Sequence, residues 1–257
     1  MVMTINSRYR VTPLAVASHQ AREQRLLYGG RSDRWSTVVA YVFLLTDDDG
    51  RHYLVDTGVR DADEINVRRA KEEHWIVRPD ESLITQLKTH RITPGDIKGV
   101  LLTHLHYDHC SQVSLFPCAE VIVSRAEWES VMLPVHPALL TLAGYPRDVY
   151  AWLASSAWER LKLIRDGDEV LPGIHALVLG GHTPGSTAYL VSTHNGPLII
   201  AGDVITTFAN WDNATPPGLV VNLAEWFLAY DRLQLLRYPV APSHDPSLVN
   251  RLDGLIS

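Results

Sequence analysis

An α/β fold of two sheets, each carrying helices on its outer face, is the architecture this sequence predicts. Three observations lead there. Short apolar strands alternate with helical patterns along the chain. The second half repeats the scheme of the first. Residues able to bind a metal follow the strands, where loops hang over a rigid scaffold.

The elements follow in order. V-V-A-Y-V-F-L-L-T (38–46), then D-D-D-G, then R-H-Y-L-V-D (51–56) reads as a β-hairpin. Residues 61–74 and 81–90 carry helical spacing. I-K-G-V-L-L-T (97–103) is a buried strand and A-E-V-I-V-S (119–124) another. Helical spacing returns over 125–133 and 147–164. In the second half H-A-L-V-L-G (175–180), A-Y-L-V-S (188–192) and P-L-I-I-A-G (197–202) are strands, with a turn at H-N-G-P. Leu223, Trp226, Phe227, Tyr230, Leu233 and Leu236 share one face of a helix over 222–236. Y-P-V-A-P-S (238–243) is a last short strand.

A chain of 257 residues suits a single domain, 1–257, with a core that needs no staples. Net charge −6, without a basic stripe, argues against a nucleic-acid partner. The start, M-V-M-T-I-N-S-R-Y-R-V, has no apolar leader, and no apolar run approaches the roughly 18 residues of a membrane span. A soluble cytoplasmic protein without a membrane partner is therefore expected. Cys110 and Cys118 make no disulfide framework and are expected reduced and mostly buried.

The chemistry concentrates in T-H-L-H-Y-D-H-C (103–110), where His104, His106, Asp108 and His109 fall within six positions. Only 12 histidines occur in the chain, so this density demands a reason. Imidazoles gathered without a metal would repel when protonated. Imidazole and carboxylate are ligands of zinc and its neighbours. Other candidates follow later strands: His182 in G-H-T-P-G-S, Asp203 in A-G-D and His244 in S-H-D-P, with Asp56 in D-T-G upstream. Seven ligands are too many for one ion and fit two. His104 and His106 can address one ion, Asp108 and His109 a second, and Asp203 is the natural bridge. Two such ions hold a hydroxide between them at neutral pH. His19, His52, His74, His90, His136, His175 and His194 read as ordinary structural histidines.

The motifs H-L-H-Y-D-H, G-H-T-P-G-S, A-G-D, S-H-D and L-V-D-T-G together resemble the metallo-β-lactamase superfamily. The resemblance implies an αββα sandwich of two mixed sheets flanked by helices, with a dinuclear centre at one edge. It implies His104, His106 and His182 on the first metal, Asp108, His109 and His244 on the second, Asp203 bridging, and Asp56 orienting ligands from outside. Within the superfamily the sequence looks most like the N-acyl homoserine lactonases. Tyr107, the S-H-D around His244, N-W-D-N-A-T-P-P-G-L-V (210–220) and, more weakly, L-L-Y-G-G (26–30) carry that likeness. The bridging Asp is lacking in the true zinc β-lactamases, and redox di-iron relatives have a Glu where His106 stands.

One departure matters. Those lactonases usually carry a tyrosine three residues after the bridging Asp, and here Thr206 stands there. Thr206, Tyr107 or the metal alone would then polarise the carbonyl. The reading is a dinuclear metal-dependent hydrolase, taking two zinc ions or manganese, cobalt or iron in their place. It opens a lactone ring with a metal-bridging hydroxide, Asp108 handling the proton. Phe208 and Trp211, then Trp35, Met132 and Leu133, are candidate substrate contacts. The substrate is a small lactone or ester, an N-acyl homoserine lactone first. Alternatives are a pyridoxolactone-like ring, a thioester of the glyoxalase II type, or a catalytically silent metal-binding protein. Relatives of this kind often form homodimers.

Overall fold

The computed structural model describes residues 8–142 and 144–256, the side chains of residues 141 and 142 excepted. The expectation of a leaderless start lies, for residues 1–7, outside the described residues. Eleven strands are described: β1 (Tyr9–Arg22), β2 (Trp35–Asp47), β3 (His52–Val55), β4 (Ile97–Leu101), β5 (Glu120–Ser124), β6 (Leu161–Ile164), β7 (Glu169–Leu171), β8 (Ile174–Val178), β9 (Thr187–Thr193), β10 (Gly196–Ile200) and β11 (Val240–Ala241). They form two sets. One runs β1-β2-β3-β4-β5-β6, with an antiparallel meander feeding parallel strands, and the other joins β7, β8, β9, β10 and β11. The pairing of Tyr9 with Thr193 links the sets.

Strand alternation explains why two sheets pack face to face. On β2, Tyr41, Phe43 and Leu45 point into the same buried cluster as Tyr189 and Val191 of β9 and Leu198 and Ile200 of β10. Their neighbours Val42 and Leu44 point the other way, onto Leu83 and Leu87 of the helix Leu83–Thr89 and Leu153 of the helix Arg147–Ala154. On the far face, Ala188, Leu190 and Ile199 pack against Trp226, Ala229 and Leu233 of the helix Leu223–Leu236. Three apolar layers separated by two sheets are an αββα sandwich.

Several expectations are corrected. β1 has no counterpart in the sequence reading, because Pro13 and the small residues around it hide the period of two. Among the described residues Pro13 pairs with Phe43 of β2 alone, β9 joining this strand at Tyr9 and Ile76 bridging Ser18, so Pro13 needs no second ladder partner. The Ala15/Ala17 bulge then shifts the phase of the pattern. Residues 61–74 are a short helix, Ala62–Asn66, and a 3₁₀ turn, Lys71–Glu73, rather than one helix. Residues 147–164 end as helix at Ala154, and 161–164 become β6. Cys110 is buried, but Cys118 is exposed. No helix among the described residues is long and apolar enough to cross a membrane.

Candidate metal centre

The seven ligand candidates converge at one edge of the sandwich. Four lie just beyond a strand: His104 after β4, His182 after β8, Asp203 after β10 and His244 after β11. Asp108 and His109 sit on the single turn Tyr107–Cys110. Local sequence holds these loops together. Gly202 takes φ 52°, and a Cβ there would stand 2.7 Å from Thr103. Only glycine lets the A-G-D turn approach the histidine loop so closely.

Two ligand groups emerge. His104 Nε2 and His182 Nε2 lie 2.9 and 3.0 Å from His106 Nδ1. His109 Nε2 and His244 Nε2 lie 3.9 and 3.6 Å from Asp108 Oδ2. Asp203 stands between: Oδ2 is 3.3 Å from His182 Nε2, while Oδ1 is 3.2 Å from His109 Nε2 and 3.0 Å from His244 Nε2. Ligand atoms around a tetrahedral ion with bonds near 2.0–2.1 Å stand about 3.3 Å apart, so both groups are already spaced for an ion.

The remaining nitrogens fix which atom faces inward. His182 Nδ1 donates to the Leu219 carbonyl at 2.6 Å and His244 Nδ1 to the Val39 carbonyl at 3.0 Å. His109 Nδ1 donates to Asp56 Oδ2 at 2.8 Å. His104 Nδ1 donates to the Thr103 hydroxyl at 3.1 Å, which donates in turn to Asp56 Oδ2 at 2.8 Å. Every Nε2 of these four rings therefore turns a lone pair into the site. His109 Nε2 is buried without a hydrogen-bond partner, as an atom reserved for a cation would be.

The electrostatics differ between the groups: burial lowers His109 and His244, but Asp203 and the other facing carboxylates outweigh it and lift both. Burial, reinforced by neighbouring imidazoles, holds His106 down to about 3 and His104 well below its ordinary value, so both stay neutral and able to ligate. Burial alone would lift Asp203, but His244, His109 and His182 outweigh it and hold the carboxylate ionised. The donor set is nitrogen and oxygen without thiolate, which fits zinc, manganese, cobalt or iron.

The outer supports were partly missed from sequence. Asp56 also accepts from the Thr103 amide at 2.8 Å, so one carboxylate steadies β4's exit and two histidines. Its φ of 63° is left-handed, a region in which Asp and Asn are tolerated. Glu127 received no role from sequence. It is fully buried and accepts from the Leu105 amide, the Gly185 amide and the Thr183 hydroxyl, tying the first histidine loop to G-H-T-P-G-S. A buried glutamate with a serine cap at Ser124 was the available signal.

The substrate candidates are corrected. Phe208 lies in the core with the Arg251 guanidinium 3.9 Å over its ring. Trp211 packs on Tyr230, ring centres 5.3 Å apart. Trp35 stacks under Arg22, Met132 and Leu133 are exposed at the end of the helix Arg125–Met132, and none of the five lines the cleft. The Tyr107 hydroxyl is spent on the backbone of Asp61, accepting at 3.0 Å and donating at 2.5 Å. Thr206 does line the cleft, with its hydroxyl buried and unpartnered. The cleft measures about 290 Å³, and its wall includes Arg25, Arg68, Arg69, Trp75 and His19, the last expected only to be structural. L-L-Y-G-G and P-P-G meet at its rim: Tyr28 donates to the Pro216 carbonyl, and Gly218 abuts the Gln24 carbonyl.

Known proteins place this geometry. Over 224 residues the chain is 28% identical to the N-acyl homoserine lactonase AttM of Azorhizobium caulinodans, covering 79% of this chain and 81% of that one. The AttM of Agrobacterium fabrum is 27% identical, covering 82% and 80%. A solved quorum-quenching N-acyl homoserine lactone lactonase superposes with a TM-score of 0.78 at 19% identity, over 100% of this chain and 98% of that one. An N-acyl homoserine lactone hydrolase with N-hexanoyl-L-homoserine at its catalytic metal centre gives 0.77 at 19%, over 97% of each chain. Residues 35–243 match the profile of the metallo-beta-lactamase superfamily, and the chain belongs to that superfamily.

Proposed function

We propose that the protein is a dinuclear metal-dependent lactonase, zinc being the default metal and an N-acyl homoserine lactone the leading substrate. The observation that carries this reading is Asp203, whose two oxygens face different ligand groups as a bridging carboxylate must. Bound in those groups, two divalent ions supply Lewis-acid polarisation of a carbonyl and a water acidified to hydroxide near neutral pH. His104, His106 and His182 would hold one ion; Asp108, His109 and His244 would hold the other. Thr206 takes the place of the tyrosine typical of the lactonases it resembles, its free hydroxyl donating to the lactone carbonyl as charge develops there. Asp108, partly open to the cleft, receives the water's proton and returns it to the ring oxygen that leaves as an alcohol. One ester C–O bond is broken, one acyl C–O bond is formed, and the product is a hydroxy acid. The activity of the lactonases it resembles and the loops meeting at the rim support the choice of a lactone.

The test is proton release from N-hexanoyl and N-decanoyl homoserine lactones by zinc-loaded protein, with His106→Ala as control. Metal-dependent ring opening with kcat/KM of about 10⁴ M⁻¹s⁻¹ or above supports the reading. Activity confined to a generic ester or thioester would leave a dinuclear hydrolase and remove the signal-lactone assignment.

A further inference from the structure

The cleft wall carries two arginines whose charge the fold does not use. The Arg68 side chain is exposed at the cleft and has no hydrogen bond or ion pair among the described residues. Arg69 is half-buried beside it. Its Nε donates to the Glu73 carbonyl at 2.8 Å, and its guanidinium carbon lies 5.7 Å over the Trp75 ring. Its Nη2 lies 3.3 Å from His19 Nδ1, but that nitrogen is also 2.9 Å from the Gln20 carbonyl. A ring nitrogen that donates to Gln20 cannot accept from Arg69, so the Nη donors of Arg69 have no acceptor there.

The nearest carboxylates are engaged elsewhere. Glu73 pairs with Arg25 at 3.0 Å and Arg22 at 4.0 Å. In the neighbouring groove Glu64 and Asp148 pair with Arg60. Asp108, whose charge reaches Arg69, faces His109 and His244 as a ligand. Burial works against the Arg69 charge and pulls its pKa down, so keeping an unpaired guanidinium there opposes folding unless a partner arrives. Two divalent ions less the charges of Asp108 and Asp203 leave the centre positive before the arginines are counted. This is a cationic cleft in a chain of net charge −6, and a neutral acyl lactone gains little from it.

We propose that the substrate carries a carboxylate beside its hydrolysable ring or ester, and that Arg69 with Arg68 seats it as a planar anion. The proposal rests on the reading of a metal-dependent lactonase and replaces its leading substrate, because a neutral N-acyl homoserine lactone carries no carboxylate. Leu26, Val38, Ile65 and Trp75 offer apolar contact to the rest of the molecule. About 290 Å³ lies near the lower limit of ligand clefts, which suits a compact ring better than a long chain. A guanidinium fork matches carboxylate geometry with two parallel donors.

The experiment compares γ-butyrolactone with the same ring bearing a carboxylate, 5-oxotetrahydrofuran-2-carboxylate, on zinc-loaded protein. Calorimetry in parallel compares glutarate with butyrate, which present the same single carboxylate to the metals and differ by one anion at the far end. The carboxylated member of each pair is expected to be favoured roughly ten- to hundredfold, as for a charged hydrogen-bonded pair, mostly in KM. Raising salt and Arg68→Met each narrow the ratio, and Arg69→Lys retains part of it. Arg68 is exposed, so its replacement leaves the fold intact. Equal kcat/KM within the lactone pair together with equal affinity within the acid pair overturns the proposal, as does a preference that Arg68→Met and Arg69→Lys leave unchanged. If neither lactone is opened but glutarate still binds tighter and Arg68→Met abolishes the difference, the anion seat stands and the lactonase reading falls.

Discussion

Replacing Asp56 by Asn tests whether the metal centre depends on a residue that cannot touch an ion. The substitution keeps shape and backbone, since both residues tolerate a φ of 63°. It removes one charge and turns one acceptor into a donor. In the native site one oxygen accepts from the Thr103 amide and the other from the Thr103 hydroxyl and His109 Nδ1. Whichever way the amide turns, an N–H meets a buried N–H or O–H. One unsatisfied buried donor costs about 1–3 kcal/mol, and removing an outer-shell partner weakens metal affinity by about 10–100-fold. The loss is asymmetric. His109 loses its direct partner, whereas His104 is held through Thr103. The group of Asp108, His109 and His244 should therefore weaken first. Competition with a chromophoric zinc chelator, read alongside bound-metal stoichiometry, should show one ion lost about 10–100-fold more readily and the other nearly retained. Urea unfolding of the metal-free variant should show a loss of about 1–3 kcal/mol. Two ions held as tightly as in the parent, or both lost equally in a folded protein, would refute the reasoning.

Further outcomes follow from the same coordinates. Gly185→Ala places a Cβ 2.0 Å from the Glu127 amide nitrogen, so its loop and the helix Arg125–Met132 must separate; a loss of at least about 1–3 kcal/mol and a lower Tm are expected. Glu127→Gln turns one of the acceptors facing Leu105, Thr183 and Gly185 into a donor; urea unfolding should show a loss of similar size, and activity should fall with metal content. His19 is held down to about 3, first by burial and then by Arg69. The unfolded chain takes up a proton below about 6.5 that the folded chain refuses, so this stability is present above pH 6.5 and is lost as pH falls toward 3. His19→Gln should show a shallower loss than the parent between pH 6.5 and 4.5. A thiol reagent should modify Cys118 in the folded protein and reach Cys110 only after unfolding.

The legibility of this protein in its sequence was uneven for physical reasons. The cluster of ligand candidates was legible because metal binding restricts chemistry to a few side chains, and strand ends are marked by the loss of apolar periodicity. The hairpin and the helix at 222–236 were visible because one buried face leaves a regular pattern. β1 was not, since Pro13 and a bulge break its period. β6 was not, since four residues following a helical run carry too little signal. The substrate wall was the hardest part. Phe208 and Trp211 follow Asp203 in sequence, but their helix, Phe208–Asp212, turns them into the core and onto Tyr230. Arg68 and Arg69, which do face the cleft, come from a stretch read only as helical, and Arg25 from one given no role. Proximity to a motif along the chain does not report proximity across a sandwich edge.

Each ligand group draws from both sheets. His104 and His106 follow β4 while His182 follows β8; Asp108 and His109 come from the first half while His244 comes from the last strand. Neither half can complete a set by itself. An ion held at this edge would thus be a rivet across the seam, and its affinity would include the free energy of bringing the halves together. Metal uptake would then double as a checkpoint of assembly: a chain whose sheets had mispaired would offer only half-sets and would stay unloaded.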